Sequence, residues 1–357
     1  MTLTPTILTA GELAATVDSI AAVQQGDGMV PWFPGGHGDP WNHVEAAMAL
    51  DAGGRRAEAE AAYAWLVATQ RPDGAWHQYY RDGQVTEATL DANVTAYVAT
   101  GVWHHFVMTG DAGFLEVMFG VVERAVAFVL DLQTPRGEVI WARHVDGTPW
   151  SFALLTASSS TLASIRGAVQ VAAALGHERP HWESAAHRLQ RVIVDEPAAF
   201  LPKDRWSMDW YYPVLAGAVT GDAARARLAA GYDRFVMDGL GVRCVADKDW
   251  VTAAETAECA MAHLAAGDVG TAARLLRWAE HLRHDDGSYF TGMVHPQRHL
   301  FPAGERSTYS AAAVTLVTAA LAGAGPLVPL LTPLPGRFAA VLVPNAPAPA
   351  GRARASV

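Results

Sequence analysis

The chain has 357 residues, 51% of them hydrophobic, enough for a sizeable core in one closed domain. A formal net charge of −10 argues against nucleic acid, which needs a basic face to neutralise phosphates, and no polybasic stripe offers itself to an anionic membrane. The opening MTLTPTILTAGELAATV lacks a basic region and an uninterrupted apolar stretch, and no apolar run is long enough to span a bilayer, so a cytoplasmic protein without a signal peptide is expected. Cys244 and Cys259 match no metal spacing and are expected as two buried free thiols.

Helical periodicity dominates and strand-like alternation is scarce. About twelve helical segments are predicted, over 7–25, 41–53, 55–70, 93–109, 111–133, 158–176, 181–195, 213–220, 222–236, 253–266, 268–284 and 307–323. The odd-numbered segments are striped and charged, as in Arg55–Gln70 and Asp222–Val236, whereas the even-numbered ones carry few charges; Tyr309–Gly323 has none. A helix apolar on all sides must be buried and a striped one lies at the surface. Alternation of the two kinds predicts an all-α fold, an (α/α)6 toroid with six inner and six outer helices. Residues 1–324 are expected to form this barrel, and 325–357 a Pro/Ala-rich extension, partly disordered.

Connections from even to odd segments are short and often read Gly-Asp (Gly110-Asp111, Gly221-Asp222, Gly267-Asp268), a helix C-cap followed by an N-cap. Those from odd to even segments are long. Since successive helices run antiparallel, all the long loops gather at one end. The turns Asp73-Gly74-Ala75-Trp76 and Asp286-Gly287-Ser288-Tyr289 read as two copies of one repeat element with a period near fifty residues.

The long loops are rich in aromatics and acids. In chain order they hold Trp32, His37, Asp39 and Trp41; Trp76, Tyr79, Tyr80 and Asp91; Trp141, Arg143 and Trp150; Arg205, Asp209, Trp210 and Tyr211; Arg243, Trp250, Glu255 and Glu258; and Tyr289, His295, His299 and Glu305. Pyranose rings present apolar C–H faces to aromatic rings, and their hydroxyls pair with carboxylates and guanidinium groups. An oligo- or polysaccharide is therefore the expected ligand. About half of the aromatics are assigned to packing instead.

Glycoside hydrolysis needs one protonated and one ionised carboxyl group flanking the bond. Asp39, in Gly-Asp-Pro-Trp, opens an inner helix; capping that helix is its plain alternative role. Glu45 lies deeper in the same helix. Glu255 and Glu258 share one face of an otherwise small and apolar helix, where burial of an acid is costly. Asp91 and Asp209 open further inner helices, and Glu305 is an alternative base. Arg143, Arg205 and Arg243 are expected to orient carboxylates or bind hydroxyls. No tight metal-ligand spacing occurs among the 14 His residues, and no cofactor or metal is expected; His37 with His43, or His295 with His299, would lack a third ligand.

The segment architecture resembles the six-hairpin glycosidases, which include glucoamylase-like and trehalase-like enzymes. The turn Gln70–Trp76 also looks like the QW-type repeat of terpene cyclases, but no DxDD motif or prenyltransferase zinc set accompanies it. GDPWNHVEAAMAL, SMDWYYPVL, GVRC and WVTAAETAE resemble stretches of actinobacterial methylmannose polysaccharide hydrolases. That resemblance implies an (α/α)6 barrel and an intracellular endo-acting α-mannosidase that trims a (1→4)-linked, partly O-methylated mannan. It also implies an acid pair at the mouth, for which Asp39 and Glu255 are the choice, with the two roles left open. Trp32, His37, Trp41, Trp76, Tyr80, Asp91, Arg143, Arg205, Asp209, Trp210, Tyr211, Arg243, Trp250, Glu258, Tyr289 and Glu305 are expected to contact substrate.

Overall fold

A computed structural model describes residues 7–323; the expected extension 325–357 lies outside the described residues. The helices are α1 Ala10–Ala21, α2 Pro40–Ala52, α3 Arg56–Thr69, α4 Ala92–Thr109, α5 Ala112–Asp131, α6 Leu155–Ala174, α7 Pro180–Asp195, α8 Ser207–Leu215, α9 Gly221–Phe235, α10 Ala253–Ala265, α11 Val269–Ala279 and α12 Thr308–Leu321. The even helices pack each on the next, α2 on α4 and so on to α12, and α12 returns to α2, which closes the ring.

Burial follows the sequence pattern. Inner α4 is buried on every side from Ala92 to Val102. Outer α7 buries only the stripe Trp182, Ala185, Ala186, Leu189, Val192 and Ile193, the spacing of one helix face. The short connections behave as caps at Asp111, which accepts from the Phe114 N–H, and at Asp268, which accepts from the Thr271 N–H. At Gly221-Asp222 the expectation fails. Here α9 starts one residue earlier, Thr220 occupies the cap position, and Asp222 falls in the first turn.

The eighth helix is also displaced from the prediction, running over 207–215 with Pro213 inside it. Pro213 has no N–H to offer the Asp209 carbonyl. Arg227 of outer helix α9 fills that vacancy, donating through Nη2 to Asp209 O at 2.7 Å and through Nε to Trp210 O at 2.8 Å.

The repeat turn occurs more often than the sequence suggested. Gln24, Gln70 and Gln133 each follow an outer helix. Each side-chain amide donates to the carbonyl of the glycine four residues on and to a carbonyl of the next outer helix: Glu58 O, Val121 O and Ala185 O, all at 2.9–3.0 Å. Arg283 makes the corresponding reach from the last hairpin to Glu12 O on α1. Gly28, Gly74, Gly137 and Gly287 all have positive φ, and a Cβ on any of them would meet the neighbouring helix backbone at 2.2–2.7 Å. These turns buckle outer helix to outer helix around the ring. The Gln70–Trp76 motif is one of them, and Trp76 is a fully buried part of the wall.

Short strands join the long loops. They are β1 Tyr79–Arg81, β2 Gln84–Glu87, β3 Leu90–Asp91, β4 Ala142–Arg143, β5 Val236–Met237, β6 Gly241–Arg243, β7 Trp250–Thr252, β8 Gly292–Val294 and β9 His299–Leu300. β5 to β9 form one antiparallel sheet in sequence order.

Candidate active site

Each long loop leads into the N-terminus of an inner helix, so six helix N-termini converge beneath the loops. Their unpaired N–H groups and dipoles favour acceptors and negative charge there. Asp39 caps α2, preceding Pro40 at the first helical position. Its carboxylate accepts from Asn42 N–H at 2.9 Å, Asn42 Nδ2 at 2.7 Å and Trp32 Nε1 at 2.5 Å. Burial, at 3% exposure, outweighs these bonds and raises its pKa above the ordinary aspartate value.

Asp91 caps α4 in the same manner, accepting from Asn93 N–H at 2.7 Å and Val94 N–H at 3.0 Å. Burial, with the Asp39 charge adding to it, pushes Asp91 up to about 6 against the lowering effect of those bonds. The β3–β4 pairing holds Asp91 opposite Ala142. Asp209 is half-buried at the start of α8 and accepts from the Thr156 hydroxyl at 2.6 Å and its N–H at 3.3 Å; burial raises it as well.

Glu255 lies in the first turn of α10, half-buried, and accepts from the Thr252 hydroxyl. Glu305 accepts from the Thr291 hydroxyl at 2.8 Å. Its charge and that of Asp39 both bear on His37, whose pKa burial lowers despite them. Trp32 stands among these groups, 4.5 Å from the His37 ring, 5.7 Å from Tyr79 and 5.2 Å from Tyr309. Tyr309 in turn feels the charges of Glu255 and Glu305 and is raised, mainly by burial. The mouth thus brings together Trp32, His37, Asp39, Glu255 and Glu305, with Tyr79 and Tyr309 beside them. Tyr309 was legible in principle, since it occupies the same second helical position in α12 that Trp41 occupies in α2.

Below the mouth, the lumen floor is a second acid cluster. Trp41 packs edge-on against Tyr97 and Tyr212, with ring centroids 5.7 and 5.9 Å away. Glu45 accepts from Tyr97 Oη at 3.2 Å, and Glu258 accepts from Tyr211 Oη and, at 3.1 Å, from Tyr212 Oη. Burial raises both glutamates, Glu45 to about 8 with the Asp39 charge adding to it, and the Glu45 charge raises Glu258 further. A small cavity of about 20 Å³ beside Glu45, Tyr97 and Tyr212 has room for about one water. Tyr211 is fully buried, so it supports Glu258 instead of meeting substrate.

Several other expected contacts belong to the wall. Trp76 is fully buried and donates from Nε1 to Leu66 O. Tyr289, its counterpart in the last hairpin, is fully buried and donates to Glu280. Tyr80 packs under Trp65 and its hydroxyl accepts from the His77 N–H. Trp210 stacks on Phe235 and donates to Arg227 O. Arg143 lies over Phe128 and pairs with Asp131 and Asp73. In each case the side chain sits near a long loop but faces the outer layer. Arg205 and Arg243 pair with Asp247 and Asp249 near the rim, and Trp250 packs edge-on against exposed Phe301. His43 is held between Val30 N–H and Ala62 C=O, apart from any metal role with His37. Among the described residues no three His, Cys, Asp or Glu side chains gather as a metal site would require.

A mouth with buried carboxyls, a half-open glutamate and clustered aromatics has the groups for acid/base cleavage of a glycosidic bond. No protein-family model matches the chain. It is 48% identical over 322 residues, 90% of its length and 89% of the relative's, to the MMP endo-(1,4)-3-O-methyl-α-D-mannosidase of Mycolicibacterium hassiacum. In fold it is similar to a glycosidase (TM-score 0.66, 17% identity, covering 89% of this chain and 100% of that one). It is also similar to the cellobiose 2-epimerase of Spirochaeta thermophila (TM-score 0.64, 12% identity, covering 88% and 96%). The chain is therefore a glycoside hydrolase with an (α/α)6 barrel, and it belongs to the family of the MMP endo-(1,4)-3-O-methyl-α-D-mannosidase.

Proposed function

We propose that this enzyme cleaves internal α-(1→4)-mannosidic bonds of a partly O-methylated mannan, in the cytoplasm and with inversion. The family relation over nine-tenths of the chain carries the substrate. The aromatic lining suits it, because O-methyl groups add apolar surface that Trp32, Tyr79 and Tyr309 can cover. No helix among the described residues is long and apolar enough to cross a membrane.

Asp39 is the general acid in this reading. Its burial favours the protonated form, and the proton is needed on the leaving oxygen. Glu255 is the general base, half-open at a helix N-terminus that favours an anion, and it takes a proton from water attacking the anomeric carbon. Asp91, Asp209 and Glu305 bind hydroxyls around them. The test is incubation with methylated and unmethylated α-(1→4)-mannooligosaccharides, followed by mass spectrometry and by NMR of the first-formed anomer. Internal cleavage with inverted product supports the proposal. Release of single end residues, a retained anomer, or cleavage only of other glycans contradicts it.

A further inference from the structure

Behind the five-stranded sheet lies a cavity of about 520 Å³ lined by Met237, Leu240, Asp249, His281, His295 and Arg298, together with Gly239 and Pro296. None of its lining residues is among those gathered at the mouth. Side chains alternate between the two faces of a strand. In β7 the Thr252 hydroxyl reaches Glu255, so Thr252 and Trp250 face the mouth. Asp249, one residue before Trp250, therefore belongs to the opposite face. Trp250 pairs with Val294, so His295 falls on that same face, and its N–H donates to Asp249 O at 2.8 Å.

The polar groups of this cavity are left open. Asp249 receives both of its Arg243 bonds, at 3.1 and 3.0 Å, on Oδ1, and Oδ2 has no partner. Arg298 has no carboxylate partner among the described residues. His281 donates from Nδ1 to Trp278 O at 2.6 Å, which leaves Nε2 an acceptor without a donor. His295 is 8% exposed, and its Nε2 also lacks a partner. The two buried imidazole nitrogens carry a cost unless something pairs with them, whereas Asp249 and Arg298 are exposed at the pocket's edge and hydrated until a ligand arrives.

An exposed guanidinium, an exposed carboxylate oxygen, the His281 acceptor and the unpaired His295 ring nitrogen, set among Met237, Leu240 and Pro296, match one ligand chemistry. Hydroxyl groups donate to the acceptors and accept from the guanidinium, while C–H and O-methyl faces lie on the apolar residues. A free anion would meet Asp249, and an acyl chain would leave every polar group unpaired. We propose that this cavity is a second carbohydrate site, which holds one or two residues of a neutral, O-methylated glycan away from the mouth. The identity of that glycan rests on the proposed substrate. For an endo-acting enzyme the consequence is avidity, since a long chain held at the rear site is presented to the mouth at raised local concentration.

The test uses the full chain carrying Glu255→Gln, titrated calorimetrically with a 3-O-methyl-α-(1→4)-mannotetraoside. Two sites per chain are expected, and one after adding Leu240→Trp, which fills the cavity, or Arg298→Ala, which removes only an exposed side chain. In the otherwise native enzyme, either change is expected to raise KM for a long methylated mannan about tenfold, with kcat and tetraoside cleavage unchanged. A single site in the Glu255→Gln protein, or two sites surviving both changes, overturns the proposal. The activity reading fails separately: native enzyme that cleaves no mannan contradicts that reading, while the stoichiometry still decides the rear site.

Discussion

At the residue scale, two kinds of buried acid are distinguished by their surroundings. Asp39 is held by three donors at a helix N-terminus, and burial still raises it. Activity should accordingly decline as pH rises through the Asp39 pKa, and the alkaline limb of the kcat/KM profile should lie above the ordinary aspartate range. A limb that stays in place when the half-open Glu255 is altered but vanishes in Asp39→Asn would confirm the assignment. Glu45 belongs to the second kind, with tyrosine and glutamate neighbours instead of backbone donors. Its folded-state pKa, near 8, lies above the usual 4.5, so the folded protein holds the proton more tightly than the unfolded chain. Stability is unaffected below about 4.5, falls as pH rises through this window and levels off above about 8. Melting temperatures of the native protein and of Glu45→Gln at pH 5 and pH 9 measure this. The native protein should lose on the order of a few kcal/mol more over that interval, and equal losses would refute the burial account.

At the element scale, the twelve helices were legible because an inner helix is apolar on all sides and an outer one is striped. The eighth was misplaced because Pro213 reads as a first helical residue. Its true setting depends on Arg227, which lies on another helix. Arg227→Ala should therefore destabilise α8 by roughly 1–3 kcal/mol, the cost of stranding a buried carbonyl, as read by chemical denaturation; an unchanged midpoint would show that water replaces the guanidinium. The buckles were half legible. Two were recognisable by Asp-Gly and a following aromatic, whereas the shared signal is a long donor side chain with a glycine four residues later. Gly74→Ala sets a methyl 2.2 Å from Arg124 O at φ 88°. It should cost at least about 1–3 kcal/mol and lower the melting temperature without altering KM.

At the scale of the whole molecule, the ring and its mouth follow from alternation and antiparallel order, and both were legible. Side-chain direction was not. Trp76, Tyr80, Arg143, Trp210 and Tyr289 lie in or beside long loops, but their contacts turn them to the outer layer. The five-stranded sheet escaped notice because its strands are two or three residues long, too short for alternation to register. Tertiary pairing creates it, and it places Trp250 toward the mouth and Asp249 away from it.

The most direct measurement is cleavage of a 3-O-methyl-α-(1→4)-mannooligosaccharide by the native enzyme, Asp39→Asn and Glu255→Gln, followed by mass spectrometry. Shortened internal fragments from the native enzyme are expected, with kcat lower by about 10²–10⁴ in either variant and circular dichroism unchanged. Full activity in either folded variant would contradict the acid pair on which the account rests.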